Sequence, residues 1–277
     1  MDCCTPPSRP AWAARSNGAR RKRFGAKPFT LSIAGETMYY IPHGEPIQAY
    51  FKNSRDLDSK ALSLLGLNQF GCPPDDMKRI GADNSGIHAR PAAGYEHLDN
   101  KQRYFYTTHR DFHSLLMGKS LDAMTARFVR VLTGRMRAAQ QVQGTEWTEL
   151  PDFYVFLRNE MFQANMQALC GDRFFELNPD FTQVFWDLDG KMLDFLRRLP
   201  RWMAAKSHAL RDQALAAVAK WHRVSNERFD WHDEDLVEAE WEPQFGAHLM
   251  RARQQMFGSI GTSAASHAAM DLGMMWA

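Results

Sequence analysis

From about residue 100 onward, apolar side chains recur at spacings of three and four, broken only by glycine and proline. That periodicity admits little besides packed amphipathic helices, so the chain is expected to be mainly α. Tyr106 to Met117 reads as one helix bounded by Gly118, and Ser120 to Val131 as another ended by Gly134. A clearer helix follows, with Pro151 in its first turn and Gly171 as its stop. Its apolar face is expected to hold Phe153, Tyr154, Leu157, Met161, Ala164 and Ala168. Asn178-Pro179 opens a helix running to about Leu196, and Pro200 separates it from a helix through Leu210, Ala217 and Trp221. An acidic surface connection, Asp230 to Glu242, carries Trp231 and Trp241 as anchors. Pro243 to Phe257 reads as helix again, and a last apolar helix begins near Ser263. It carries no C-cap glycine or polar tail, so it reads as a buried helix cut short.

The first hundred residues are different. Residues 1–28 hold four prolines and seven Lys/Arg against Asp2, and read as a flexible basic leader. Phe29, Leu31 and Ile33 alternate, Ala34-Gly35-Glu36 turns, and Met38 and Tyr40 alternate again, which predicts a small β-hairpin. Pro46 opens a short helix with Ile47, Tyr50 and Phe51 on one face. Residues 70–98, rich in Gly, Pro, Asp and Asn, read as a long loop with at most one helical turn; such loops are commonly functional or mobile.

Composition narrows the function classes. Hydrophobic residues at 44% and charged residues at 24% suit a folded core, and fifteen Met with eighteen Phe suit either a plain helical core, the reading composition favours, or one that surrounds an apolar ligand. The net charge is +2, but the leader alone carries +6, leaving −4 on the body. A body of that sign argues against nucleic-acid binding, while the basic leader could touch an anionic membrane surface. No stretch is long and apolar enough to span a bilayer. Cys3, Cys4, Cys72 and Cys170 form no C-x-x-C pair, and Cys170 lies in an apolar helical pattern as a core residue.

Few motifs carry chemistry. There is no G-x-G-x-x-G, no P-loop and no G-x-S-x-G elbow. Asp187 and Asp189 are two apart on a helix and do not converge. His109 and His113 stand four apart on a predicted helix, with Arg110 beside them, so both rings face one side. Zinc would need a further ligand, and the H-E-x-x-H pattern is absent. A basic face for a carboxylate is the functional reading; two solvated histidines are the plain one.

The order of these segments resembles the cytochrome P-450 monooxygenases, in particular the fungal microsomal type. Phe29-Thr30-Leu31-Ser32-Ile33 with Tyr39-Tyr40-Ile41-Pro42 resembles the first sheet strands, and Glu45 to Lys52 the helix after them. Tyr106 to Leu116 resembles the helix after the variable loop. Leu177 to Phe181, Phe185-Trp186, Leu199 to Trp202 and Ala214 to His222 resemble the sixth and seventh helices. Ala269 to Ala277 resembles the opening of the long central helix.

The resemblance implies a partial domain over residues 29–277: a mainly α fold with a small β-sheet, the N-terminal half of the P-450 fold, truncated in its central helix. It implies haem as cofactor, with His109 and His113 where many members place a Trp and a basic residue beside the propionates. Residues 70–98 and Leu196–Met203 resemble substrate-access elements. The haem-ligating cysteine, the Glu-x-x-Arg pair and the oxygen-activating threonine have no counterpart here, so no catalytic residue is assigned. A thiolate drives O–O cleavage in such enzymes, and without one the chain is expected to be inactive alone. A complete member would hydroxylate an apolar small molecule, drawing electrons from an NADPH-cytochrome reductase at the endoplasmic reticulum membrane surface. The chain as given, lacking an anchor, would be soluble. The alternative is a non-enzymatic helical module that binds a lipid-like ligand or a partner protein.

Overall fold

The computed structural model describes residues 28–33, 36–41, 44–53, 60–139, 147 and 149–276. Residues 1–27 of the expected leader, and Ala34-Gly35 of the expected turn, lie outside them. Two units are distinguished, divided between residues 59 and 60.

In the first unit, β1 (Phe29–Ile33) pairs antiparallel with β2 (Glu36–Tyr40), with Phe29 opposite Tyr40 and Leu31 opposite Met38. The alternation predicts this hairpin, but Glu36, read as part of the turn, opens β2 instead. Helix α1 (Glu45–Lys52) follows Gly44, whose φ of 79° suits only glycine. Tyr50 and Phe51 of that helix are exposed.

The second unit is helical. Helices α2 (Lys60–Gln69) and α3 (Pro74–Ala82) precede a single 3₁₀ turn, Asn100–Gln102. Next come α4 (Tyr104–Leu115), α5 (Gly118–Ala138) and α6 (Phe153–Cys170). Short helices α7 (Asp172–Leu177), α8 (Phe181–Asp189) and α9 (Met192–Leu196) lead to the long α10 (Ala205–Arg228). Helix α11 (Glu234–Glu238) is followed by a two-stranded ribbon, β3 (Trp241–Glu242) and β4 (Gly246–Ala247). Helices α12 (His248–Ile260) and α13 (Ala264–Trp276) complete the unit.

The core forms where α10 meets α13, α7 and α8. Ala214, Val218, Trp221 and Ser225 of α10 follow helical spacing and are all fully buried. The Trp221 ring packs edge-on against Phe174 at 5.3 Å, and its indole N–H donates to the Gln244 carbonyl at 2.7 Å. The deepest ring therefore leaves no polar atom unsatisfied.

Several expectations require correction. Gly134 does not end a helix; α5 runs through it to Ala138. A helical glycine costs only about 1 kcal/mol, and packing against α6 outweighs that, with Arg135 Nε 2.8 Å from Glu160. The helix expected from Pro243 starts instead at His248, because residues 241–247 form the ribbon. The helix expected to reach Leu196 breaks at Gly190 into α8 and α9, and Asp180, not Asn178, is its N-cap.

Residues 70–98 hold α3, not a single turn, and the rest is organised by one guanidinium. Arg103 is fully buried. Its Nε donates to Ser85 Oγ at 2.9 Å, Nη1 to Asn100 Oδ1 at 2.6 Å, and Nη2 to the His88 carbonyl at 2.7 Å. The carbonyls of Ser85, Gly86 and Ala89 accept from the same head. Only arginine presents five donors in a planar fork. We expect Arg103→Met to cost about 3 kcal/mol, because several buried acceptors lose their donor together. Urea unfolding and limited proteolysis within residues 84–99 report this. An unchanged midpoint and an uncut loop would refute it.

Candidate functional site

The two histidines singled out by spacing lie on α4. Its inner face buries Tyr104, Thr107 and Asp111, at successive intervals of three and four. His109 and His113 fall on the opposite face, exposed, with ring centroids 6.1 Å apart. Arg110 is already engaged, its Nη2 lying 2.6 Å from Asp111. The structure therefore brings the two imidazoles together and leaves the arginine out of their cluster.

Helix α4 is locked from behind. It packs on α12, where Arg253 sits 5.5 Å from the Phe112 ring and 5.3 Å from the Phe257 ring. Arg253 Nε also donates to Asp271 Oδ1 of α13 at 2.6 Å. Asp271 is completely buried and accepts a second bond from His222 Nε2 at 2.8 Å, which places a proton on that nitrogen. Burial alone would raise the Asp271 carboxyl, but Arg253 and His222 outweigh it and hold the carboxyl below its usual value. One carboxylate thus ties α10, α12 and α13 together behind the histidine face.

Spacing arguments missed this network, although a signal existed. Asp271 occupies the same stripe as Ala268, Leu272 and Met275 in an apolar helix, and a carboxylate there requires a buried cation. The start of α13 is held in the same manner. Asp76 of α3 accepts from Ser263 N–H at 3.1 Å and from Ser266 Oγ at 2.6 Å. It is a cap supplied from elsewhere in the chain. Asp187 and Asp189 do not converge: the first accepts from Gln183 and the second from the Trp276 indole.

An apolar groove of about 620 Å³ lies between α5 and α6. Leu121, Met124 and Phe128 form one wall, and Tyr154, Leu157 and Met161 the other. The α6 face expected to be core is therefore split. Ala164 and Ala168 are buried, but Tyr154 is 70% and Met161 45% exposed. Neither histidine lines this groove.

The donor set meets only part of what a haem needs. His109 and His113 offer two exposed ring N–H groups suited to carboxylates. Thiolate ligation does not fit the described cysteines. Cys72 is buried with Sγ 3.1 Å from Ser266 Oγ, and burial raises its thiol. Cys170 is fully enclosed, and burial pushes its thiol well above the usual range. Among the described residues there is no group of three or more His, Cys, Asp or Glu able to hold a metal ion. No described helix is long and apolar enough to cross a membrane.

No protein-family model matches the chain, and no solved structure does. Curated relatives do match. The cytochrome P450 monooxygenase efuG of Hormonema carpetanum is 26% identical over 90% of this chain and 42% of its own length. Cytochrome P450 monooxygenase calL of Penicillium decumbens is 26% identical over 82% of the chain, again 42% of its own length. Cytochrome P450 monooxygenase fsoE of Humicola fuscoatra is 24% identical over 96% of the chain and 43% of its own length. The chain spans less than half the length of each of these relatives.

Proposed function

We propose that this chain, a relative of the fungal cytochrome P450 monooxygenases, supplies the N-terminal wall of such an enzyme and has no monooxygenase activity by itself. Its helical body with two small antiparallel sheets is the architecture of the N-terminal half of that fold. The carrying observation is the exposed His109–His113 pair on a helix braced from behind by Arg253 and Asp271. Rigid backing with an open donor face suits the carboxylates of a haem. A bound haem would supply oxygen activation. This chain's part would be to orient it through the two imidazoles, while Met- and Phe-rich helices exclude water. In the whole enzyme the substrate would be an apolar small molecule, and the electrons would come from an NADPH-dependent reductase at the endoplasmic reticulum membrane surface.

A reduced carbon-monoxide difference spectrum of the haem-supplemented chain is the test. We expect no red-shifted Soret band, since both described cysteines are buried and burial disfavours their thiolates. Such a band would overturn the proposed inactivity, and a Cys3→Ser/Cys4→Ser chain would then show whether the leader holds the ligand.

The groove between α5 and α6 favours a second reading, a non-enzymatic module that takes a lipid-like ligand or a partner protein. Saturable uptake of an apolar fluorophore that a Met124→Lys change abolishes, in a chain that takes up no haem, would decide for it.

A further inference from the structure

A second cleft, of about 510 Å³, lies between the end of α2 and the connection from α9 to α10. Its chemistry differs from that of the groove. Arg198, His208 and Arg211 line it together with Gln69, and no carboxylate does. Leu65, Phe195 and Leu199 supply an apolar wall.

Arg211 is the unusual member. Its guanidinium stacks 4.9 Å from the Phe195 ring, and Nη1 donates to the Gln69 carbonyl at 2.9 Å. Nη2 lies 3.2 Å from His208 Nδ1. That nitrogen must be an acceptor, because a guanidinium can only donate. His208 Nε2 lies 3.0 Å from the Leu199 carbonyl, so this ring gives Arg211 an acceptor but no negative charge. The nearby acids are committed elsewhere, Asp194 to Ser207 and Asp212 to Arg201 at 2.8 Å. Among the described residues Arg211 has no ion-pair partner of its own. Burial accordingly draws its pKa below the usual arginine value, with Asp212 opposing. Two donors on this wall, Arg211 Nε and Gln69 Nε2, are buried and lack any hydrogen-bond partner among the described residues. A half-buried cation and two buried, idle N–H groups are costly unless an acceptor completes them.

The backbone holds a second cation on the same wall. Arg198 has φ 55°, the only positive φ of a non-glycine residue among those described. It ends α9, with Leu199 N–H bonded to the Asp194 carbonyl and Arg198 N–H to the Phe195 carbonyl, both at 2.9 Å. Glycine is the usual residue at such a helix end. An arginine there keeps a charge at the cleft at some conformational cost.

We propose that this cleft binds the carboxylate of a small amphipathic organic acid, with Arg211 and Gln69 on the carboxylate and the tail along Leu65, Phe195 and Leu199. The cleft is lined in part by Gly71 to Pro74 and by Arg198 and Leu199, which belong to the two segments read from sequence as substrate-access elements, and its test is independent of haem binding.

Titration calorimetry of the 277-residue chain with decanoate, 1-decanol and decylamine tests this directly. Decanoate should bind about tenfold or more tightly than the other two, the scale of one charge-assisted pairing. Arg211→Met should erase that preference, and Arg211→Lys should keep part of it. Equal affinity for all three probes, or a preference that survives Arg211→Met, would overturn the proposal. If circular dichroism shows that Arg211→Met does not fold, Gln69→Met decides, since it removes an N–H that no described residue accepts. A narrowed preference then supports the site and an unchanged one refutes it. Haem binding is read separately in the spectrum above, so either proposal can fail alone.

Discussion

Asp271→Ala is expected to lose about 3–5 kcal/mol of folding stability, because it leaves the Arg253 guanidinium buried without its anion and the His222 N–H without its acceptor. The carboxylate is fully enclosed and accepts from Arg253 at 2.6 Å and from His222 at 2.8 Å. Small domains hold only about 5–15 kcal/mol in total, so the change should consume much of the margin. Asp271→Asn keeps the volume and an acceptor but not the charge, and should fall between the two. The sign of the pH dependence follows from the depressed carboxyl. A folded-state pKa below the unfolded value gives stability that is full above the unfolded pKa, about 4, and is lost as pH falls through the folded one. The parent chain should therefore steepen its loss of stability below about pH 4, and Asp271→Asn should lose this component. Urea midpoints at pH 7 and in the acid limb measure both effects. A cost below about 1 kcal/mol for Asp271→Ala would mean that the network contributes no more than an exposed pair.

The histidine pair was legible from sequence, whereas the bracing that makes it rigid was not. Four-residue spacing places His109 and His113 side by side whatever surrounds the helix. The partners of Asp271 come from residues 222 and 253, and no local pattern links these positions. The β1–β2 hairpin and the Gly171 stop were legible for the same local reason: alternation and left-handed glycine are properties of neighbouring residues. Failures fell where tertiary contacts outweigh local preference. Gly134 stays helical because α5 is packed along α6. The α2 sequence, Lys60 to Gln69, has apolar residues spread around the helix and so offers no single stripe to recognise. The ribbon at residues 241–247 was hidden inside an apparent helix, because two residues per strand are too few for alternation.

That ribbon sits against the end of α6 so closely that it admits no side chain, and Gly246→Ala is expected to be the most damaging glycine-to-alanine change among the described residues. A Cβ on Gly246 would stand 2.3 Å from the Gly171 nitrogen and 2.4 Å from the Leu169 carbonyl oxygen, and both atoms are backbone. The residue also has φ 73°, where a side chain is strained regardless of space. The ribbon cannot move aside cheaply. Buried Arg251 donates to the Gly246 carbonyl at 2.7 Å and to the Val237 carbonyl at 2.9 Å, and Arg173 N–H bonds the Pro243 carbonyl at 3.1 Å. Relieving the clash would break several of these bonds, so the cost should exceed about 4 kcal/mol. Gly134→Ala is the matched control. Its Cβ would meet nothing within 4 Å, so the same methyl should stabilise by about 0.5–1 kcal/mol. Opposite signs for the two changes, read from urea midpoints, would show that backbone-to-backbone contact sets the seat of the ribbon. Similar small effects would mean that α6 and the ribbon stand further apart in solution.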